Sequence, residues 1–215
     1  FVPMFGEGNT LPAVIGASVL LWLLHFLVLR GIKEAAFINT VTTIAKMLPL
    51  ALFIVIAAIA FKMDVFTADF WGRGNSELGS VMDQVRNMML VTVWVFIGIE
   101  GAAVFSTRAK QSSDVGKATI IAFVTVLAML VFVNVLSYGL MAQAELAGLP
   151  DPSMAGAMEA AVGTWGRHFI KIALIVSVLG AMLTWIMLAA EILFVPAADN
   201  NLSHAFGRAN GKGSP

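Results

Sequence analysis

The sequence has no cysteine, which excludes a disulfide-stapled scaffold, a thiolate metal site and a cysteine nucleophile. Charge is scarce. Lys, Arg, Asp and Glu make up 12% of the 215 residues, against about 25% in soluble domains. The 13 basic and 13 acidic residues cancel, and no polybasic tract of the kind that grips phosphate backbones is present. Also missing are a phosphate loop, an HExxH pair and a Ser/His/Asp set at catalytic spacing, so no enzyme, cofactor, metal or nucleic-acid partner is expected. What the chain has instead is apolar length: 59% of residues are hydrophobic and the mean hydropathy is +0.89, with no polar half. A globule of this size could not hide that much apolar surface. The chain opens Phe1-Val2-Pro3-Met4-Phe5-Gly6-Glu7, lacks the basic n-region of a signal peptide, and reads as a piece of a longer polypeptide.

A bilayer core about 30 Å thick takes roughly 20 apolar residues in helix, and five stretches meet that requirement. They run from Leu11 to Leu29, Ala36 to Phe61, Val85 to Phe105, Ala118 to Met141 and His168 to Val195. The predicted fold is therefore an all-α integral membrane domain. Arg30-Gly31, the Gly72-Arg73-Gly74-Asn75-Ser76 loop and Pro150-Asp151-Pro152 punctuate the breaks. No repeat of 20–50 residues is visible, and the Gly-rich tail from Gly207 to Pro215 is the one biased segment.

Orientation follows from the Lys and Arg of the short loops. Arg30 and Lys33, then Arg108, Lys110 and Lys117, then Arg208 and Lys212 follow spans one, three and five, which places those loops in the cytoplasm. Glu7, Asp64, Asp69, Glu77, Asp83, Glu145, Asp151 and Glu159 collect on the other side, with Lys62, Arg73, Arg86 and Arg167. Trp71 and Trp165 fall at the outer edges, an ordinary anchoring position. The expected location is the plasma or inner membrane, with several passes.

Ionisable groups at membrane depth are costly and point to function. Glu100 lies about fifteen residues into span three, bracketed by Gly98 and Gly101. Glycine weakens the helix there, and a break would expose backbone groups that are tolerated only where they line a cavity or meet a ligand. Close helix packing through Gly-x-x-Gly, with Glu100 hydrogen-bonded to a neighbouring helix, explains the same residues equally well. Lys46, about ten residues into span two, is either a buried base able to exchange protons, or a snorkelling anchor, or sits near a helix that starts late. Pro49 is expected to kink that helix and free a carbonyl nearby. Trp22, Trp94 and Trp185 lie deep; such rings serve packing, or attract a cation to their faces. Small and polar residues from Gly180 to Thr184 would let a cavity form beside Trp185. Glu191, about one turn from the end of span five, is a proton or gate group or else a solvated anchor. His25 and Asn134 are expected in interhelical hydrogen bonds. Asn201-Leu202-Ser203 matches a glycosylation sequon, but on the cytoplasmic side.

The string VWVFIGIEGAAVFSTRAK, beginning at Val93, resembles the sixth helix of the amino acid–polyamine–organocation superfamily, and within it the basic amino acid/polyamine antiporters. These carry W-x-F-x-G-x-E there, followed by a short basic loop. INTVTTIAKMLPL, from Ile38, is similar to the fifth helix; TWIMLAAEILFVPAADN, from Thr184, is similar to the eighth, and its Ala-Ala-Glu resembles arginine/ornithine antiporters most. The resemblance implies helices four to eight of a five-plus-five inverted repeat, with the third span here discontinuous. It implies carbonyls around Trp94 and Ile97 holding an α-amino group, Gly98 giving the backbone freedom and Trp94 closing as a gate. It further implies Trp185 stacking on the substrate's cationic end, Glu100 protonatable, and Lys46 standing where sodium-coupled relatives hold an ion. The segment from Pro196 to His204 departs from the family's Ala-Ala-Lys-Asp-Gly-Leu-Phe-Pro, which weakens the inner-gate assignment and Glu191 with it. The function implied is alternating-access exchange of a basic amino acid such as arginine for a product such as ornithine. The expected partners are that small molecule and the bilayer, with a homodimer left open. Two rivals are a proton-coupled permease for neutral or acidic amino acids and a non-transporting subunit, for which the third span would be continuous.

Overall fold

The computed structural model describes residues 5–211 except 7, 75–77, 105, 107–108 and 110, and gives no side-chain placement for 32–35 and 112. Glu7, Asn75, Ser76, Glu77, Phe105, Arg108, Lys110 and the tail from Lys212 to Pro215 lie outside the described residues, as does the side chain of Lys33.

The regular elements among the described residues are all helices: α1 (Leu11–Arg30), α2 (Ile32–Ala60), α3 (Met63–Ala68), α4 (Val81–Phe96), α5 (Gly101–Val104), α6 (Ser112–Ser137), α7 (Gln143–Ala147), α8 (Ser153–Val162) and α9 (Thr164–Ala198). Five helical stretches are long and apolar enough to cross a membrane: α1, α2, α4 together with α5, α6 and α9. Local chemistry sets their starts. Thr10 caps α1, its Oγ1 accepting the Ala13 N–H at 3.3 Å, and Pro12 sits in the first turn, where its missing donor costs nothing. Ser80 and Asp83 form a reciprocal capping box on α4, with the Ser80 N–H donating to Asp83 Oδ2 at 3.0 Å and the Asp83 N–H to Ser80 Oγ at 3.2 Å. That box starts α4 four residues ahead of the stretch read from hydropathy. α6 likewise begins before Ala118 and ends at Ser137, in a turn that reaches Leu140.

The chain divides into two compact units, residues 1–45 with 175–215, and residues 46–174. In the second, Phe53 and Ala57 of α2, Ala155, Ala157 and Met158 of α8 and Ile170 of α9 form a core cluster. Burying Phe53 and Met158 completely contributes about 1.5–3 kcal/mol each. α8 was not distinguished from the surrounding loop in sequence, although Met154, Ala155, Met158, Ala161 and Val162 after Pro152 follow a helical period. The end of α2 is tied to the turn after α6: the Lys62 N–H donates to the Gly139 carbonyl at 2.9 Å. A Cβ at Gly139 would lie 2.1 Å from the Phe61 ring, so no other residue fits there without moving that ring. An ion pair between Arg167 and Glu159 joins α9 to α8.

In the first unit, α2 and α9 pack through small residues. A Cβ at Gly180 would meet Thr42 Oγ1 at 2.7 Å, and Thr184 Oγ1 donates to Asn39 Oδ1 at 2.7 Å. The small and polar run beside Trp185 therefore serves helix contact rather than a cavity, a correction to the sequence reading. Close backbone approach through glycine with an interhelical hydroxyl bond is how helices associate where lipid offers no hydrophobic drive. Two other polar side chains find neighbours on their own helices. Asn134 places its amide on its own helix, donating to the Leu130 carbonyl at 2.8 Å, whose second lone pair lies one turn back within reach. His25 stands edge-on to Trp22, ring centroids 5.7 Å apart.

Candidate functional site

Span three is interrupted. α4 ends at Phe96, the backbone turns through Ile97–Glu100, and helix resumes for one turn at Gly101. Ile97 is extended, at φ −63° and ψ 131°, and Gly98 has φ +104°, a conformation that side chains with a Cβ rarely adopt. The rungs of a continuous helix are replaced one by one. Ile97 and Ile99 N–H groups reach only three residues back, to the Trp94 and Phe96 carbonyls, at a long 3.4 Å. Gly101 donates to Gly98 at 3.0 Å instead of to Ile97, so the Ile97 carbonyl loses its helical donor. Gly98's own N–H, which a continuous helix would send to Trp94, donates to Glu100 Oε2 at 3.0 Å. Glu100 thus caps a backbone amide that the break has freed.

This geometry decides between the two readings of the Gly98–Gly101 pair: Glu100 is engaged within its own turn, and the segment is not a straight packing helix. A groove of about 540 Å³ runs along one face of α4 down to the turn, lined by Val85, Met88, Met89, Thr92, Val93, Phe96, Ile97 and Glu100. It falls in the size range of small-molecule sites, about 300–1,000 Å³. Met88, Met89 and Thr92 were missed in sequence. Their signal was the spacing Val85, Met88, Thr92, Phe96, Glu100, which places one stripe on one helix face.

The remaining candidates occupy their own places. Trp94, half a turn before the break, is 77% exposed and does not line the groove. Trp185, on α9 in the first unit, is half-exposed. Lys46 is half-buried midway along α2, which starts at Ile32; the late helix start is therefore excluded as an explanation of it. Pro49 is buried three residues on, within a helix that continues past it; lacking an N–H, it leaves the Ala45 carbonyl without its usual donor. Glu191 is 1% exposed. The solvated-anchor reading is corrected: α9 continues seven residues beyond it, to Ala198. With Gly180, Leu183 and Met187 it forms a buried stripe at helical spacing.

The family model for amino acid permeases matches residues 1–215. The chain belongs to the amino acid permease family. Among the relatives of this permease chain is an arginine/ornithine antiporter from Pseudomonas aeruginosa, 62% identical over 215 residues, which are all of this chain and 45% of that protein. An L-lysine transport protein from Corynebacterium glutamicum is 47% identical over all of this chain and 43% of its own length. An arginine/agmatine antiporter from Chlamydia caviae is 44% identical, covering all of this chain and 45% of that protein. The chain spans somewhat less than half the length of each of these relatives. As a permease chain with five helices of spanning length, it is a multi-pass membrane protein.

Proposed function

We propose that the protein is a secondary transporter of the cell membrane, exchanging a basic amino acid such as arginine for a product such as ornithine by alternating access. The observation that carries the reading is the break at Gly98, where the Ile97 carbonyl is stripped of its helical donor and Glu100 holds the neighbouring amide. A bare carbonyl beside an apolar groove offers an acceptor to an ammonium group, and half-helices are the usual means by which carriers bind charged substrates near the midplane. Three relatives whose names specify arginine or lysine favour a basic cargo, and the proton-coupled permease for neutral or acidic amino acids is set aside. In this reading the loops after α1, α5 and α9 face the cytoplasm, Trp94 closes over the bound substrate and Trp185 stacks on its cationic end. Lys46 and Glu191 tune coupling and gating. Either substrate lowers the barrier to reorientation by binding the closed state better than the open one.

Proteoliposomes containing the full-length protein and loaded with ornithine test this. External arginine should enter one-for-one, whereas counterflow with alanine or glutamate but not arginine would overturn the cargo. Trp185→Leu should weaken arginine binding about 5- to 30-fold, the equivalent of a cation–π contact of about 1–2 kcal/mol; unchanged affinity would remove Trp185 from the site. Lys46→Ala should shift the pH profile of exchange more than the affinity, and an unshifted profile would assign Lys46 to snorkelling.

A further inference from the structure

A second cavity, of about 340 Å³, lies in the second unit away from the α4 groove. One wall is the segment after α2: Val65, Phe66, Ala68, Asp69, Phe70 and Gly72. Gln84 of α4 contributes, and the other wall is Val135, Tyr138, Ala142 and Gln143, around the end of α6 and the start of α7. By the Lys and Arg count, this end of the chain is the outer one.

The pocket is built rather than incidental, on three grounds. First, its two walls are clamped where the Lys62 N–H meets the Gly139 carbonyl at 2.9 Å and the Phe61 ring lies on the bare Cα of Gly139. Second, Phe61, Phe66, Phe70 and Trp71 form an unbroken aromatic series, with successive ring centroids 5.3, 5.3 and 5.0 Å apart; two of the four line the cavity. Third, the Asp69 carboxylate is fixed in direction. Its Oδ1 accepts the Arg73 N–H at 2.7 Å and its Oδ2 the Gly74 N–H at 2.9 Å. The loop that carries these donors is braced by Gln84 Nε2, which donates to the Trp71 carbonyl at 3.1 Å across thirteen residues.

Two backbone donors occupy about half the acceptor capacity of an ionised carboxylate, which has about four lone-pair sites. Among the described residues no Lys or Arg side chain is ion-paired with Asp69. The carboxylate is held in place yet retains acceptor positions, in a cavity that Phe66, Phe70 and Tyr138 also line. Carboxylate plus aromatic faces is the chemistry that recognises a guanidinium or ammonium group, by charge-assisted hydrogen bonds and cation–π attraction together. Fixing Asp69 in advance removes part of the ordering cost of binding.

We propose that this cavity is an outer subsite that captures the cationic end of the basic amino acid before it reaches the broken helix. The cargo rests on the proposed exchange function; the cation chemistry does not. Asp69 holds the charge, Phe66 and Phe70 supply ring faces, and Tyr138 and Gln143 complete the polar rim. Occupancy raises the local substrate concentration, so the site acts on capture and not on the turnover of bound carrier.

The test titrates methylguanidinium into the full-length protein in nanodiscs, in the wild-type and Trp185→Leu backgrounds. Asp69→Asn keeps the shape and one acceptor for the loop but removes the charge. It should weaken the salt-sensitive component of binding about tenfold in both backgrounds. Phe70→Leu leaves the loop hydrogen bonds alone and should weaken the same component severalfold. In exchange assays at low salt, Asp69→Asn should raise the KM for external arginine severalfold at an unchanged maximal rate, and the difference should vanish at high salt. Wild-type methylguanidinium binding by both variants would overturn the subsite. Exchange of arginine with no dependence on Asp69 would overturn it while leaving the proposed function standing. Asp69-dependent binding in a protein that exchanges no basic amino acid would leave the subsite standing and end the proposed function.

Discussion

Gly98→Val is expected to weaken arginine binding by the full-length protein 10- to 100-fold. Gly98 holds φ +104°, and a β-branched residue kept in such a sparsely populated region costs of order 1–3 kcal/mol, where about 1.4 kcal/mol is a factor of ten. The variant has two ways to respond. It can keep the break and carry the strain, or it can restore the rungs that the break replaces, sending the residue-98 N–H to Trp94 and the Gly101 N–H to Ile97. Either response lowers the population of the state in which the Ile97 carbonyl is bare. Binding measured on the whole population weakens by that fraction. Gly98→Ala, with a smaller side chain, should lie between valine and the wild type. Glu100→Gln keeps an acceptor for the Gly98 N–H and should disturb the turn less than Glu100→Leu, which leaves that amide uncapped. Wild-type affinity in Gly98→Val would mean that the left-handed residue is incidental to the bound state.

The place of the break was legible in sequence because its cause is local, although the residues alone left a break and close packing level and the family resemblance favoured the break. Two glycines around a carboxylate, far inside an apolar run, state a weak helix and a costly charge in seven residues, and the structure joins the two by putting Glu100 Oε2 on the Gly98 amide. The five long helices were legible for a similar reason: bilayer thickness sets a length that hydropathy reads directly. What sequence did not settle depends on partners far away in the chain. The run from Gly180 to Thr184 is equally consistent with a cavity wall and a packing face; only Thr42 and Asn39, some 140 residues earlier, make it the latter. Asn134 could serve a neighbour or its own helix, and the choice turns on which carbonyl lies in reach. Glu191 looked terminal because hydropathy fades after Val195, while the helix itself continues to Ala198. The cavity around Asp69 draws on α3, α4, α6 and α7 together, and no window of sequence contains it.

The α2–α9 contact carries the other large effect, and it can be tested by exchanging the small residue between helices. Gly180→Ala places a methyl carbon 2.7 Å from Thr42 Oγ1 and 2.8 Å from Thr42 Cβ. Neither atom is the free end of a flexible chain, because Thr42 is β-branched and its hydroxyl donates to the Asn39 carbonyl at 3.0 Å. The helices must separate, and with them the Thr184–Asn39 hydrogen bond lengthens. Overpacking of this kind costs about 1–3 kcal/mol, so the unfolding midpoint of the purified full-length protein should fall clearly, and Gly180→Val should fall further. Thr42→Gly alone should cost only roughly 0.3 kcal/mol through helix propensity. The pair Gly180→Ala with Thr42→Gly puts one methyl where the other side had one, and should recover most of what Gly180→Ala loses. Contact predicts a coupling energy of about 1–2 kcal/mol in the double-mutant cycle. If the two losses simply add, Gly180 does not touch Thr42, and the fall in stability must come from the alanine's effect within α9 itself.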